Sequence, residues 1–264
     1  MISFPNAKIN LGLNILSKRA DGYHNISSCF YPIPVKDALE IIPAQRTTFE
    51  STGLKIPGKP EENLVWKAYH LLNKEFNLPE VEIVLHKAIP MGAGIGGGSA
   101  DGAFMLKLLN DYFKLNLSTE KLENYALKLG SDCPFFIQNK PKLVSGRGEI
   151  FEDIAVDLQG YFVGLVFPGI HIGTKEAYNG IHPKNPETPI KEIIENHPLK
   201  DWKNNLKNDF EESVFKQHPT LALIKNKLYD SGAIYASMTG SGSTMYGIFK
   251  EKPEGSIVDQ LYNL

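Results

Sequence analysis

The sequence predicts an α+β protein of two domains, with residues 1–155 in the first domain and residues 156–264 in the second. Its 264 residues exceed the commonest size of a single domain. Strand-like and helix-like patterns alternate in the first part of the chain, where a glycine-rich segment joins a strand to a helix. A change of composition near residues 145–160 comes before the apolar run 161–167, which is typical of a central strand in a new domain.

The first predicted strand covers residues 8–16, where apolar side chains alternate with polar or small ones. Lys8 and Asn10 are two residues apart, so their side chains point to the same face and could contact one ligand. From its position on a strand alone, Lys8 would be expected to lie on a face exposed to solvent. The following residues 21–24, Asp-Gly-Tyr-His, predict a turn.

A helix is predicted over residues 63–76 and a strand over residues 81–86. The glycine-rich segment 90–99, PMGAGIGGGS, follows, and a helix is predicted from Ser99, as its N-cap, to Phe113. Glycines adopt positive φ and leave room for a polyanion, and the N–H groups at a helix start carry partial positive charge. The segment therefore predicts a loop that binds nucleotide phosphates, because flexible linkers seldom join a strand to a capped helix.

Two other motifs compete with this interpretation. Gly92, Gly94 and Gly97 satisfy the dinucleotide pattern G-x-G-x-x-G, but their context does not fit. About 20 residues later, where a second strand should end in an acidic residue, the chain leaves one predicted helix and enters another. Residues 53–59 fill a P-loop pattern except at its last position, where Pro60 replaces the hydroxyl that would bind Mg²⁺. An NAD-linked oxidoreductase and a non-catalytic nucleotide-binding protein are kept as alternatives to a kinase.

The rest of the chain predicts further helices and strands. A helix is predicted to start at Ser118, with Glu120 in its first turn, and to end at Gly130. Asp132 lies just beyond it, and its position alone predicts only a turn residue. The later segments are an irregular connection at 181–198, a helix at 210–229, and two strands within 233–249 around the Gly-Ser-Gly-Ser sequence at 240–243.

In their order, these segments resemble the GHMP kinase superfamily over nearly the whole chain. The most specific segments are AKINLGLNILSKRADGYHNI at 7–26, PMGAGIGGGSADGA at 90–103, GSDCPFF at 130–136 and TGSGSTMYGIF at 239–249. The first of them is absent from mevalonate and homoserine kinases, which share the glycine loop. Ala100 and Gly102 depart from the serine and alanine that are usual, which leaves Ser99 as the side-chain contact to phosphate or Mg²⁺.

The resemblance implies a two-domain α/β fold. Its N-terminal domain has a mixed sheet and a left-handed βαβ unit around the phosphate loop, its C-terminal domain is a ferredoxin-like α/β plait, and the active site lies in the interdomain cleft. It also implies that ATP, with Mg²⁺, phosphorylates the 2-hydroxyl of a cytidyl-diphosphate-linked methylerythritol in the non-mevalonate route to isoprenoid precursors. The alternative substrates within the superfamily are mevalonate, homoserine or a sugar.

The composition gives bounds that agree with a kinase of this kind. Hydrophobic residues are 42% of the chain and charged residues 22%, as in folded globular proteins. The formal net charge of -2 gives no overall field that would attract nucleic acid or a membrane surface. No segment has the length and apolarity of a membrane span, and residues 1–8 lack a basic stretch followed by an apolar run, so the cytoplasm is the expected location. Cys29 and Cys133 predict two reduced thiols and no structural metal. A monomer or homodimer that binds a nucleoside-diphosphate-linked alcohol is expected.

The same resemblance assigns the site residues. It implies that Asp132 is the general base and Lys8 its charged partner, and that Asn10 positions the substrate. Tyr23 and His24 would hold the cytosine, Tyr178 would close over its other face, and Thr174 would lie near the substrate phosphates. The residues assigned to ATP are Asn63, Lys87, Pro90, Met91, Gly92, Ala93, Gly94, Ile95, Gly96, Gly97, Gly98, Ser99 and Ala100, of which Ser99 would also contact the metal.

Overall fold

The structure, a computed structural model, describes residues 1–255 and 257–264. The contacts between residues divide these into two compact units. The first unit consists of Met1–Ala7, Val35–Met91 and Gly96–Lys140, and the second of Lys8–Pro34, Gly92–Ile95 and Pro141–Leu264. This division interleaves along the chain, because residues 8–34 group with the C-terminal part. The boundary between residues 155 and 156 stays a prediction.

Along the described residues the strands and helices come in runs and not in strict alternation. In chain order the strands are β1 Ile2–Ser3, β2 Asn6–Lys18, β3 His24–Lys36, β4 Ala38–Pro43, β5 Thr48–Gly53, β6 Val81–Lys87, β7 Lys142–Ser145, β8 Ile150–Asp153, β9 Phe162–Val166, β10 Tyr235–Met238, β11 Met245–Phe249 and β12 Gln260–Asn263. The α-helices are α1 Leu64–Phe76, α2 Gly97–Tyr112, α3 Thr119–Leu129, α4 Phe135–Gln138, α5 Thr174–Tyr178, α6 Ile190–Asn196, α7 Trp202–Asn205, α8 Phe210–Gln217 and α9 Pro219–Asp230.

The first unit contains a mixed sheet in the order β1-β4-β6-β5. β4 is antiparallel to β1 and β6, whereas β5 is parallel to β6, with α1 between them in the chain. Parallel neighbours need such a crossover, so β5, α1 and β6 form a βαβ unit. The left-handed sense of the predicted unit stays a prediction. Helices α1, α2 and α3 pack against one another, and β6 leads directly into the glycine-rich segment.

Helix α2 begins two residues earlier than predicted. Ser99 is its third residue, and the N-cap is Gly96, whose φ of 74° is left-handed. The prediction of Ser99 as N-cap is therefore wrong, because a glycine that can adopt this φ starts the helix without a capping side chain. Helix α3 follows the prediction: the Ser118 hydroxyl accepts a hydrogen bond from the Lys121 N–H, and Gly130 ends the helix.

The second unit contains the antiparallel sheet β10-β11-β9-β12, with α9 packed on β10 and β11. The helix predicted over residues 210–229 is two helices, because Pro219 lacks the N–H that would continue the first and instead starts α9. Helix α6 also interrupts the connection predicted to be irregular. A further sheet, β2-β3-β7-β8, lies mostly in this unit.

The cysteines and the lengths of the helices were also subjects of prediction, and the structure describes both within residues 1–255 and 257–264. Cys29 and Cys133 are both free thiols, as predicted, and both are buried. No helix in the described part of the chain is long and apolar enough to cross a bilayer.

Candidate functional site

The glycine-rich loop has the backbone conformation that its composition predicts. Gly92, Gly94 and Gly96 have φ of 68°, 77° and 74°, in the left-handed region that side chains disfavour. Gly94 also has a close neighbour, because a Cβ at this position would lie 2.5 Å from the carbonyl oxygen of Thr239. Any side chain at Gly94 would therefore collide with the backbone at Thr239, so this position of the loop requires glycine.

The first turn of α2 presents Ser99 beside the segment that carries Asp132. Burial raises the pKa of the Cys133 thiol to about 12, and the neighbouring Ser99 side chain opposes this shift. Asp132 directly precedes Cys133 in the chain and is only half-buried. The N–H groups of the first helical turn have no acceptor within the helix, so this end of α2 favours anions.

Lys8 and Asn10 lie on one face of β2, as predicted, but this face is not solvated. Lys8 is 3% exposed and Asn10 is 1% exposed, because both faces of the strand are covered. The Lys8 ammonium donates a 2.6 Å hydrogen bond to Asn10 Oδ1, contacts the Gly94 carbonyl oxygen at 3.4 Å, and lies 4.4 Å from the centre of the Phe30 ring. The interpretation of Lys8 as a solvated surface lysine is therefore wrong.

Asn10 joins the N-terminal strand to the Thr-Gly-Ser-Gly segment. Its Oδ1 accepts hydrogen bonds from the Thr239 hydroxyl at 3.1 Å and the Gly240 N–H at 3.0 Å, and its amide donates to Ser28 at 2.8 Å. The Thr239 hydroxyl also lies 3.3 Å from the Gly94 carbonyl oxygen. One amide side chain thus connects Lys8, the segment at Thr239 and, through Thr239, the glycine loop.

The residues assigned to the cytosine lie together in the second unit. The rings of His24 and Tyr178 are stacked, with centroids 4.5 Å apart and planes 14° apart. Tyr23 is 58% exposed, and the Arg147 guanidinium lies 5.0 Å from the centre of its ring. Burial and the neighbouring Lys18 lower the pKa of His24, so its imidazole is neutral at pH 7 and offers one donor and one acceptor. Thr174 is exposed at the start of α5.

Asn63 and Lys87, which were assigned to the adenosine, both have partners in the first unit. Asn63 is the N-cap of α1, where its Oδ1 accepts a 2.9 Å hydrogen bond from the Val65 N–H. The Lys87 side chain has no exposed surface and is bonded to the carboxylates of Asp37 and Asp101.

Sequence reasoning missed three residues that hold these segments. Thr239 lies in a segment that resembles the superfamily, but only its position there could have indicated a role. The Asn208 amide donates to the carbonyl oxygens of Met238 at 2.7 Å and Gly240 at 2.9 Å, and Asp37 binds Lys87. Neither Asn208 nor Asp37 carries a local pattern that separates it from an ordinary loop residue.

The chain is similar to known kinases along most of its length. The model of the GHMP kinases N terminal domain matches residues 63–140, and that of the GHMP kinases C terminal domain matches residues 190–263. The 4-diphosphocytidyl-2-C-methyl-D-erythritol kinase of Bacteroides fragilis strain YCH46 is 55% identical over 261 residues, which cover 97% of this chain and 94% of that protein. The protein of the same name from Cytophaga hutchinsonii strain ATCC 33406 is 54% identical over 255 residues, covering 96% of this chain and 94% of its own.

A solved structure agrees with these relatives. The crystal structure of a 4-(cytidine 5'-diphospho)-2C-methyl-D-erythritol kinase superposes with a TM-score of 0.82 at 29% identity, covering 94% of this chain and 90% of the other. These matches confirm the resemblance and the fold class predicted from the sequence, and they do not favour an oxidoreductase.

Proposed function

Because the chain belongs to the GHMP kinase family, we propose that it transfers the γ-phosphoryl group of ATP to the 2-hydroxyl of 4-diphosphocytidyl-2-C-methyl-D-erythritol, within the non-mevalonate route to isoprenoid precursors. The enzyme is a small-molecule phosphotransferase with an alcohol as acceptor. The observation that carries the choice of substrate is the similarity, along almost the full length, to kinases named for this alcohol. The cytoplasm is the proposed location, where ATP is supplied.

ATP binding is assigned to the loop from Pro90 to Ala100. The left-handed glycines carry no side chains that would block a phosphate, and the start of α2 adds partial positive charge toward it. Asn63 and Lys87 remain proposed members of the nucleotide site, although each also has a structural partner.

Asp132 is the proposed general base and Lys8 the proposed cation of the reaction. As the 2-hydroxyl oxygen bonds to the γ-phosphorus, its proton passes to the Asp132 carboxylate, and the bond to the β-γ bridging oxygen breaks to release ADP. Positive charge from Lys8 would offset the charge on the transferring group. The hydrogen bond to Asn10 holds the ammonium in one position.

The aromatic residues of the second unit are the proposed site for the cytosine. The neutral imidazole of His24 can donate one hydrogen bond and accept another at the edge of the base. Tyr23 and Tyr178 supply ring faces for stacking, and Thr174 supplies a hydroxyl near the diphosphate.

Mg²⁺ is proposed to arrive with the nucleotide. The part of the chain that the structure describes has no group of three or more His, Cys, Asp and Glu side chains able to hold a metal ion. The half-buried Ser99 hydroxyl, at the start of α2, fits a single protein ligand to an ion that is otherwise bound by phosphates and water. When bound, the ion would neutralise charge on the phosphates.

The test is a coupled assay of ADP release with a panel of alcohols. The cytidyl-linked methylerythritol should stimulate ADP release, whereas mevalonate, homoserine and galactose should not. Stimulation of ADP release by only one of these three alcohols would contradict the proposed substrate. ATP binding without turnover of any alcohol would indicate a non-catalytic protein, and binding of NADH in place of ATP would indicate an oxidoreductase.

A further inference from the structure

The first unit contains a buried cluster of three charged side chains, Asp37, Lys87 and Asp101. Their exposures are between 1% and 2%. They come from three different elements: Asp37 lies between β3 and β4, Lys87 is the last residue of β6, and Asp101 lies in α2. The cluster therefore joins the strand that leads into the glycine loop to the helix that leaves it.

Asp37 holds the end of β6 through both of its carboxylate oxygens. Oδ1 accepts hydrogen bonds from the backbone N–H groups of Ala88 at 2.6 Å and Ile89 at 2.8 Å, while Oδ2 is bonded to the Lys87 ammonium. Ala88 and Ile89 are the two residues before Pro90, where the loop begins. A single carboxylate thus fixes the backbone at the entrance to the loop.

Lys87 carries this connection to the start of α2. Its ammonium is 2.8 Å from Asp101 Oδ2, and Asp101 is two residues beyond Ser99. A Cβ on Gly97 would lie 2.6 Å from Ile89 Cγ2 and 3.1 Å from Lys87 Nζ, so the helix start is packed directly on the cluster. The two loop ends that belong to this unit are therefore tied to the same ammonium group.

Stability alone does not account for this cluster. Burying two carboxylates around one ammonium requires desolvation of all three groups, and apolar replacements of such clusters are often as stable or more stable. Asp101 Oδ1 has no hydrogen-bond partner among the described residues. Burial, with a contribution from Asp37, raises the pKa of Asp101 to about 7 although Lys87 opposes the shift.

We propose that Asp37, Lys87 and Asp101 are positioning residues for the nucleotide, which hold the two ends of the phosphate loop in the geometry that binds ATP. The inference rests on the proposed nucleotide-binding function of the loop. It assigns Lys87 an indirect role, because a hydrogen bond from its ammonium to adenine would require it to leave two buried carboxylates. The effect of the cluster should then be independent of the base of the nucleotide.

The experiment measures the affinity of the full-length protein for ATP and for GTP by titration calorimetry, without any alcohol present. Lys87→Met should weaken both affinities by the same factor, at least tenfold. Asp37→Asn is a second variant, since it keeps the shape and one carbonyl acceptor but removes the charge that faces Lys87. Asp37→Asn should also weaken the affinities for ATP and GTP by equal factors. Lys87→Arg should bind both nucleotides more tightly than Lys87→Met does. In turnover, KM for ATP should rise while KM for the alcohol stays within twofold.

A matched control separates positioning from loss of stability. Lys142 is also a buried lysine, in β7 of the second unit, and its ammonium is 2.7 Å from a carboxylate oxygen of Asp153. Lys142→Met should lower the melting temperature without changing either nucleotide affinity. If Lys87→Met and Asp37→Asn change the melting temperature but leave both affinities within twofold of wild type, the proposal is wrong.

A second result would also overturn it. If Lys87→Met weakened ATP binding but not GTP binding, Lys87 would contact the base directly. Failure of the proposed function would give a different result. Wild-type protein that binds ATP but phosphorylates no alcohol would contradict the kinase activity. The nucleotide affinities of the variants would still decide the role of the cluster.

Discussion

The Lys8 ammonium donates a 2.6 Å hydrogen bond to Asn10 Oδ1, two residues away on the same face of β2. Because Asn10 Oδ1 also accepts from Thr239 and Gly240, it is held from three directions and leaves Lys8 little freedom. Lys8→Met removes the charge but leaves those other two bonds in place. We predict that kcat falls about 10² to 10⁴-fold while the affinity for ATP and the melting temperature change little. Steady-state kinetics and calorimetry measure these quantities, and unchanged kcat would exclude Lys8 from the reaction.

Gly98 and Gly102 make a matched pair of glycines in α2. An ideal Cβ on Gly98 would meet no atom within 4 Å, whereas one on Gly102 would lie 2.9 Å from Leu64 Cβ. We predict that Gly98→Ala keeps the melting temperature but weakens ATP binding about tenfold, since a methyl group would occupy space near the phosphates. Gly102→Ala should do the reverse, lowering the melting temperature with little effect on ATP. Gly96 is a poorer test, because its left-handed φ would strain any side chain.

Tyr178 stacks on His24 and contacts Phe210 edge to face, with ring centroids 4.9 Å apart. We predict that Tyr178→Leu raises KM for the alcohol several-fold and leaves KM for ATP unchanged, because a stacking face contributes about 0.5 to 1.5 kcal/mol beyond its buried area. Steady-state kinetics with each substrate varied in turn measures both constants. Tyr178→Phe is the control that keeps the ring and should behave as wild type. A change in KM for ATP alone would contradict the assignment of this tyrosine.

Asp101 should make the stability of the protein depend on pH. Its pKa is raised from 3.8 to about 7 by burial and by Asp37, against the effect of Lys87, so the folded state holds a proton that the unfolded state releases. This contribution is complete below pH about 4 and is lost as the pH rises to about 7. We predict that the difference in unfolding free energy between wild type and Asp101→Asn falls from pH 5 to 7 and then levels. Chemical denaturation at each pH measures it, and a constant difference would mean that Asp101 is ionised throughout.

The sequence was informative where the deciding contacts are local. The glycines of the loop and the start and end of α3 depend on residues a few positions apart, and each follows the pattern that predicts it. The resemblance of whole segments added the order of these elements and the class of reaction.

The environment of Lys8 could not be predicted in the same way. The alternation along β2 gives the shared face of Lys8 and Asn10, but this face is buried partly by residues distant in the chain. Gly94 is 86 positions from Lys8, and Thr239 is 229 positions from Asn10. Asp37 and Lys87 are likewise 50 residues apart, so no local sequence pattern can predict their ion pair. Long-range pairs of this kind decide whether a charged side chain is solvated, structural or functional.

Asp132 gives the most direct test of the proposed reaction, because a turn residue and a general base respond differently to one isosteric substitution. Asp132→Asn preserves the shape of the side chain and should change stability by at most about 1 kcal/mol. The measurement is kcat for ADP release with 4-diphosphocytidyl-2-C-methyl-D-erythritol at saturating ATP. We predict a decrease of roughly 10² to 10⁴-fold with the affinity for ATP preserved, because the amide cannot accept the proton of the attacking hydroxyl. A kcat within about threefold of wild type, with kcat/KM equally unchanged, would contradict the assignment of Asp132 as the base.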